Sequence, residues 1–324
     1  MKDSLQKRCN DFIASRDVLK RTFRMEHSAL YPVCANIFAA RGQVANADKL
    51  LRCRDILKNN TGIFSNFRGT VRLPVLSMLS ISPLPEEKTA QMLEYYRLLK
   101  EHFFTSEYLA LVAMLLSGLS LPHPAEEVVA RGREIYSMMN KEHPFVTSSE
   151  DSVFAVLLAL SEKDDYALIA DMEDCYDRLK AHFSSGNSVQ ASSHVLALAE
   201  GSTLEKSARV IALFDGIRNA GGKYGKQQEL AVLAALAALP VEIGPAVQDL
   251  MEVDAFLAGQ KGYSLWSVDR RTRMMHAAMI LSSEYSPHTA PEAAMLGSTM
   301  AIIAAQQAAM CTVITCTASS SASH

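Results

Sequence analysis

The feature that most constrains the fold is an apolar pattern that returns about every 40 residues. In each copy four residues stand at positions i, i+3, i+4 and i+7, which is the spacing of an amphipathic helix. An aromatic residue occupies the third position in four of the five copies. This return predicts a chain built from one repeated helical unit. The copies are Met92/Tyr95/Tyr96/Leu99, Gly132/Ile135/Tyr136/Met139, Met172/Cys175/Tyr176/Leu179, Val210/Leu213/Phe214/Ile217 and Leu250/Val253/Asp254/Leu257.

A more uniformly apolar segment precedes every copy, which indicates a second helix buried between its neighbours. Proline, glycine and capping residues separate the segments, so each pair of helices is expected to form a hairpin. Because a single hairpin cannot bury both faces, the predicted fold is an all-α, HEAT- or armadillo-like α-solenoid. We predict a leading helix near residues 4–23 and seven hairpins near residues 27–62, 64–102, 104–143, 146–182, 186–221, 225–261 and 264–316.

Composition excludes several other kinds of fold. Of the 324 residues, 49% are hydrophobic and only 15 are Gly and 11 are Pro. This excludes an intrinsically disordered chain and disfavours β-sandwiches and β-barrels, which need frequent turn residues. Because no Gly-, Ser- or Pro-rich linker interrupts the pattern, we expect one elongated domain over residues 1–324.

From the two ends of the chain we expect neither a secretory signal nor a membrane span. Residues 1–11 are charged, and the longest apolar run near the C-terminus, residues 300–305, is far shorter than the ~20 residues of a span. We predict a buried helix over residues 291–316, a disordered tail over residues 317–324 and no membrane partner. Six cysteines without a Cys-x-x-Cys pair predict free thiols, no zinc site and a cytoplasmic location.

Two segments carry a family resemblance. FFTSEYL at residues 103–109 and AIIAAQQAAM at residues 301–310, with the array between them, resemble the bacterial domain-of-unknown-function 4003 family. The resemblance covers nearly the whole chain and implies a cytosolic helical protein. It implies no activity and no catalytic residue.

Two local patterns could carry chemistry but also have a structural explanation. Lys-x-His triplets end three successive units at residues 100–102, 141–143 and 180–182, with a Phe close behind each. Metal ligands or a pH-sensitive edge are the functional alternatives, but equivalent positions in stacked hairpins lie ~8–10 Å apart, too far to share zinc. We interpret the triplets as helix ends whose cations complement the helix dipole. The Gly- and Lys-rich residues 221–226 follow a helix, which favours a hairpin loop over a phosphate cradle.

Charge is divided unevenly along the chain. Residues 1–73 carry a net charge of +8 and the remaining residues carry −11. A basic segment of this kind can bind an anionic partner such as nucleic acid, or it can dock onto the acidic part of the same chain or of a dimer mate. Arg68 and Arg72 stand near Phe64 and Phe67, a weak form of the interleaving that single-strand binders use.

The sequence WSVDRRTR at residues 266–273 is the last candidate. Trp266 is the only tryptophan, and Asp269, Arg270 and Arg273 open a predicted helix although arginines oppose the dipole at that end. Asp254 holds the position that is aromatic in the other copies, so we hypothesise that it pairs with one of these arginines. The structural alternatives are a shifted register that leaves Asp254 in solvent and a core role for Trp266.

The sequence therefore favours a non-enzymatic scaffold that binds a protein or peptide, with no catalytic residue, metal or cofactor expected. The alternative is a nucleic-acid-binding helical-repeat protein, extended to base processing, that uses residues 1–73 and the 266–273 patch. A homodimer is compatible with both roles. Steep salt dependence of nucleic-acid binding would favour the alternative. The candidate interaction residues are Arg68, Arg72, Asp254, Trp266, Asp269, Arg270 and Arg273.

Overall fold

The computed structural model describes residues 1–144, 147–227, 229–264 and 267–285. Within these ranges the chain forms fourteen α-helices and one 3₁₀ turn, and no strand, which confirms the all-α prediction for this part. The helices are α1 (Asp3–Thr22), α2 (Leu30–Ala39), α3 (Ala47–Asn60), α4 (Arg72–Ser80), α5 (Pro85–His102), α6 (Glu107–Leu116), α7 (Ala125–Glu142), α8 (Asp151–Leu158), α9 (Asp165–Lys180), α10 (Gly186–Ala197), α11 (Thr203–Asn219), α12 (Glu229–Ala237), α13 (Ile243–Ala258) and α14 (Arg270–Glu284), with the 3₁₀ turn at Asn66–Arg68.

From α2 onward, short buried helices alternate with longer amphipathic ones. Helices α2, α4, α6, α8, α10 and α12 have 8 to 12 residues, and every residue of α2, α8 and α12 is buried. Helices α3, α5, α7, α9, α11 and α13 have 14 to 18 residues and bury one face. The predicted ranges contain this alternation, since each of the first six holds one short and one long helix.

The helices group into two compact units. In its described part, the first unit comprises residues 14–162, where α2, α4, α6 and α8 pack in succession and α3, α5 and α7 pack beside them. In its described part, the second unit comprises residues 1–13 and 163–285. There α10, α12 and α14 pack in succession beside α9, α11 and α13. The first unit therefore has a layer of short helices and a layer of long ones, and the second unit differs in that the 15-residue α14 lies in the layer of α10 and α12.

Local chemistry sets the helix boundaries. Pro85 begins α5 and is followed by two glutamates, which suit the positive end of the helix dipole. Ser202 caps α11 by accepting a hydrogen bond from the Glu205 amide, which is one of the two bonds of a capping box. Gly132 lets α7 approach α8 closely, because a Cβ there would lie 3.0 Å from the Val156 side chain.

Basic side chains on long helices cap the carboxyl ends of short ones. Arg209 on α11 donates from Nε to the Ala237 carbonyl at 2.8 Å and from Nη2 to the Leu239 and Val241 carbonyls at 2.8 and 2.6 Å. Arg131 on α7 makes equivalent bonds to carbonyls that follow α8. These guanidinium groups satisfy carbonyls that a helix end leaves without an internal partner.

Three predictions for the C-terminal region lie outside the described residues: the helix over residues 291–316, the tail over residues 317–324 and the motif at residues 301–310. Among the helices that are described, none combines the length and the apolar character needed to cross a bilayer.

Candidate functional site

Asp254 and Arg273 form a bidentate ion pair between α13 and α14. Arg273 Nε lies 2.7 Å from Asp254 Oδ1, and Arg273 Nη2 lies 2.8 Å from Asp254 Oδ2. Both side chains are about nine-tenths buried, with exposures of 9% and 10%. The hydrogen bond with Asp254 raises the pKa of Arg273. The hypothesis that Asp254 pairs with a nearby arginine is confirmed, and the alternative that leaves Asp254 in solvent is wrong.

Arg270 and Asp269 lie beside this pair and have other roles. Arg270 is not the partner of Asp254, since its Nη2 lies 3.3 Å from the Gly221 carbonyl oxygen. Asp269 caps α14 by accepting hydrogen bonds from the Arg271 and Thr272 amides at 2.7 and 3.1 Å. Burial opposes ionisation of Asp269, but the hydrogen bonds from Thr272 and Arg271 lower its pKa overall. This cap offsets the cost of arginines at the start of α14.

Trp266 lies outside the described residues. The rings of Tyr263, His276 and Phe12 form a cluster in the same unit as the ion pair. The Tyr263 hydroxyl lies 2.9 Å from His276 Nδ1, and both residues are buried. The His276 ring also lies 6.3 Å from the Phe12 ring, centroid to centroid. These groups satisfy one another inside the second unit, which favours a structural role for them.

The basic N-terminus docks onto acidic residues of the same chain. The Met1 amine lies 2.7 Å from Glu252, Lys2 Nζ lies 3.2 Å from Asp249, and Arg8 Nε lies 2.8 Å from Glu284. The hydrogen bond with Glu252 raises the pKa of the Met1 amine. Of the two alternatives that the charge distribution left open, docking within one chain is therefore realised for these residues.

Arg68 and Arg72 lie in the first unit and also have partners within the chain. Arg68 Nη2 donates to the Lys58 and Thr61 carbonyls at 2.5 Å each, and its Nε donates to the Thr61 hydroxyl at 3.1 Å. Arg72 Nε donates to Glu26 Oε1 at 2.9 Å. Arg68 thus fixes the chain that leaves α3, and Arg72 ties α4 to the segment before α2.

The three Lys-x-His triplets end long helices, as interpreted from the sequence. Phe103 and Phe183, which follow two of them, are buried and pack edge-on against Tyr136 and Phe214 at centroid distances of 5.9 and 5.2 Å. Phe145, which follows the triplet at residues 141–143, lies outside the described residues. In the part of the chain that the structure describes, no group of three or more His, Cys, Asp or Glu residues is arranged to hold a metal ion.

The interpretation of residues 221–226 as a loop is also confirmed. They connect the end of α11 at Asn219 with the start of α12 at Glu229. Gly221 has a φ of +81°, the left-handed conformation in which glycine commonly ends a helix.

A surface groove in the first unit, which we name the Phe64 groove, was not predicted from the sequence. It has a volume of about 470 Å³ and is lined by residues 62–66, by Tyr96 and Lys100 of α5, and by Thr105. The Phe64 side chain is 98% exposed and the Ile63 side chain 79%, while Phe104, next to Thr105, is 91% exposed. The sequence contains one indication of this groove. Ile63 and Phe64 are adjacent apolar residues that do not belong to the i, i+3, i+4, i+7 pattern of any helix.

Comparison with known proteins places the chain in a family. The sequence model of the family described as "Protein of unknown function (DUF4003)" matches residues 17–308. The chain belongs to this family. The resemblance noted in the sequence is thereby confirmed.

One curated relative of this DUF4003 protein is the uncharacterized protein YeaA of Bacillus subtilis (strain 168). The two are 28% identical over 184 residues, which cover 55% of this chain and 56% of YeaA. The chain thus spans about half the length of this relative. No solved structure matches the chain.

Proposed function

We propose that this DUF4003 protein is a non-enzymatic scaffold that binds a partner protein at the Phe64 groove. The observation that carries the proposal is the exposure of three large apolar side chains: Ile63 and Phe64 line the groove, and Phe104 is the neighbour in sequence of Thr105, which also lines it. Burying such a side chain contributes ~1.5–3 kcal/mol, so three exposed ones can contribute a substantial free energy to binding when a partner covers them. Exposed apolar side chains that stand together, unlike scattered ones, mark interaction sites.

The scaffold is proposed to be of the α-solenoid type, with stacked hairpins within each unit. The order of packing supports this, since α3, α5 and α7 follow one another in the first unit and α9, α11 and α13 in the second. Two capping contacts also support it. Arg131 and Arg209 hold the same position relative to the repeated pattern, directly before Gly132 and Val210, and both bind the carbonyl end of a short helix. Stacked repeats present extended surfaces that suit protein binding.

We prefer this role to nucleic-acid binding because the proposed phosphate contacts are used inside the chain. Arg68, Arg72 and Arg273 bind carbonyls or carboxylates, and Arg8 binds Glu284. Asp254, an acid close to Arg273 of the 266–273 patch, is buried in its ion pair with that arginine. A titration with single- and double-stranded nucleic acid at low and high salt tests this preference, and we expect no tight, salt-sensitive binding.

A cytoplasmic location is part of the proposal. It is supported by the four described cysteines, Cys9, Cys34, Cys53 and Cys175, which are all free and buried.

The proposal is tested by comparing captured proteins. The tagged full chain, a Phe64→Ser/Phe104→Ser variant and a Tyr166→Ser/Leu204→Ser control are used to capture partners from an extract of the source organism. The control removes two exposed apolar side chains, 78% and 62% exposed, that do not line the Phe64 groove. We expect proteins that bind the full chain and the control but not the groove variant, with unchanged circular dichroism in all three. The same proteins on all three baits would refute the proposal.

Self-association is measured in parallel, because a second copy of the chain is one kind of partner protein. Sedimentation velocity over a range of concentrations detects a homodimer, and loss of that dimer in the Phe64→Ser/Phe104→Ser variant would place it at the same groove.

A further inference from the structure

The loops around the Phe64 groove contain apolar side chains of two kinds. Phe67 and Phe103 are buried, with exposures of 0% and 8%, whereas Phe64 and Phe104 in the same loops are 98% and 91% exposed. In each loop, one phenylalanine is therefore buried in the core and the other is exposed to solvent. The two exposed rings are available to an apolar partner.

The groove is held in shape before any partner arrives. Arg68 fixes the chain at Thr61 through hydrogen bonds to its carbonyl and hydroxyl. The Asn66 carboxamide donates to the Tyr96 hydroxyl at 2.8 Å, and the Phe67 ring packs edge-on against the Tyr96 ring at 4.9 Å. A preformed site loses less conformational entropy on binding than a mobile one, which favours a defined ligand.

The charge at the groove is positive. Lys100 is the one charged residue among the described residues that line it, and its Nζ lies 5.2 Å from the centroid of the Tyr96 ring. The Arg68 guanidinium lies against the carbonyls at the end of α3, directly behind the loop. A single exposed cation within an apolar groove complements a single carboxylate. Polyanions such as nucleic acid need several phosphate contacts, and anionic membranes recruit clusters of basic residues.

We infer that the Phe64 groove binds a short segment of a partner protein in which an Asp or Glu side chain stands beside aliphatic or aromatic residues. Lys100 pairs with the carboxylate, and Ile63, Phe64 and Phe104 pack against the apolar side chains. The Thr105 hydroxyl and the Asn66 carboxamide oxygen offer hydrogen bonds to the peptide backbone. A volume of about 470 Å³ accommodates a few side chains, which suits a peptide segment. This inference rests on the proposed scaffold function and specifies its partner.

The test is a selection with a library of random dodecapeptides on the full chain, counter-selected on the Phe64→Ser/Phe104→Ser variant. We expect enriched peptides with an acidic residue next to apolar ones. Synthetic peptides then measure affinity by fluorescence anisotropy, with Asp or Glu and with Asn or Gln at the acidic position. The amide forms should bind about three- to fivefold more weakly, as expected for an exposed ion pair. Lys100→Gln should abolish this difference.

Lys141→Gln is the matched control, because Lys141 is the first residue of the Lys-x-His triplet at the end of α7, as Lys100 is at the end of α5, and does not line the groove. It should leave the preference for the acidic peptide unchanged. The inference is overturned if no peptide is enriched, if enriched peptides lack acidic residues, or if the preference survives Lys100→Gln. Competition by single-stranded RNA or by phosphatidylserine vesicles, lost in the same variant, would assign the groove to another ligand class and also overturn it.

The peptide selection and the capture experiment fail in distinguishable ways. If capture still depends on Phe64 and Phe104 but the peptides show no acidic preference, the scaffold function stands and this inference falls. If the groove variant captures the same proteins as the full chain, the proposed function fails first.

Discussion

Asp254 shows how one residue can break a repeated pattern without unfolding the unit that contains it. In three other copies the equivalent residue packs edge-on against a phenylalanine that precedes the short helix of the same pair, with Tyr96 against Phe67, Tyr136 against Phe103 and Phe214 against Phe183. At Asp254 that aromatic contact is replaced by the ion pair with Arg273. A buried ion pair need not be more stable than apolar packing, but removing one partner leaves the other charge buried and unpaired.

The first prediction concerns this pair. Asp254→Ala and Arg273→Ala should each lower the free energy of unfolding by about 3–5 kcal/mol, because each leaves a buried charge without its partner. The double variant should lose clearly less than the two single losses added together. Urea denaturation followed by circular dichroism measures all three. Arg270→Ala is the control and should change stability by about 0.5 kcal/mol or less, since Arg270 is exposed. Additive losses would contradict the coupling.

The second prediction concerns Asp151 at the start of α8. Burial raises its pKa to about 7, although a hydrogen bond from the Ser148 amide favours the charged form. The native chain therefore holds a proton that the unfolded chain releases from about pH 4 upward. Stability contributed by this proton is present at low pH and is lost as pH rises towards 7.

Asp151→Asn should remove this pH dependence, because the amide is neutral and its oxygen still accepts the Ser148 hydrogen bond. At pH 8 the variant should be more stable than the natural chain by up to about 4 kcal/mol, and at pH 4 the two should be nearly equal. Thermal unfolding at pH 4 to 8 measures the difference. Asp177→Asn, at an exposed position of α9, should change little at any pH. An equal effect of Asp151→Asn at pH 4 and pH 8 would contradict the assignment.

Sequence alone could show that Asp254 was anomalous, but it could not name its partner. Asp254 holds a position that is aromatic in the other copies, which predicted the face of α13 on which it lies. The three arginines at the start of α14 were the candidate partners. The choice of Arg273 over Arg270 depends on the rotation of α14 against α13, which is a tertiary quantity. Asp151 gave no sequence signal, because its pKa follows from burial and burial depends on neighbouring elements.

At the scale of helices, periodicity predicted most of what is observed. The alternation of short buried and long amphipathic helices follows from the apolar spacing, and proline and serine marked the starts of α5 and α11. The capping of one helix by an arginine on another was not predicted. Arg209 lies 28 residues from the nearest carbonyl that it binds, and no local rule connects residues at that distance.

The third prediction concerns that cap. Arg209→Met should lower the free energy of unfolding by about 2–3 kcal/mol, because methionine keeps the apolar stem but removes the guanidinium donor from the Ala237, Leu239 and Val241 carbonyls, of which Leu239 keeps only its bond from the Val241 amide. Arg218→Met, on the same helix, is the control, since its guanidinium is 68% exposed and lies 3.5 Å from Asp215. That change should have an effect of about 0.5 kcal/mol or less. Equal losses in the two variants would show that the bonds to the carbonyls contribute nothing.

At the scale of the whole molecule, part of the basic segment pairs with acidic residues of the same chain. The basic N-terminus is held by acidic residues of α13 and α14, more than 230 positions away in sequence. The excess of positive charge in residues 1–73 could be counted from the sequence. The group that binds this segment could not be predicted, because an anionic ligand and an acidic helix attract a basic segment equally well. The contact of Arg8 with Glu284 allows this docking to be tested by charge reversal.

The last prediction is that Arg8→Glu releases the N-terminal half of α1, and that the doubly reversed variant Arg8→Glu/Glu284→Arg restores it in part. The two side chains are 14% and 16% exposed, so reversing one of them places like charges together in a partly buried site. We expect a loss of about 2–4 kcal/mol in the single variant and recovery of about half of it in the double variant. Hydrogen exchange measured by mass spectrometry should show faster exchange at residues 3–13 in the single variant.

Lys7→Glu is the control, because Lys7 is 63% exposed and faces Asp11 on its own helix. Protection at residues 3–13 that survives Arg8→Glu would show that Phe12 and its apolar neighbours, rather than charge, hold the segment in place.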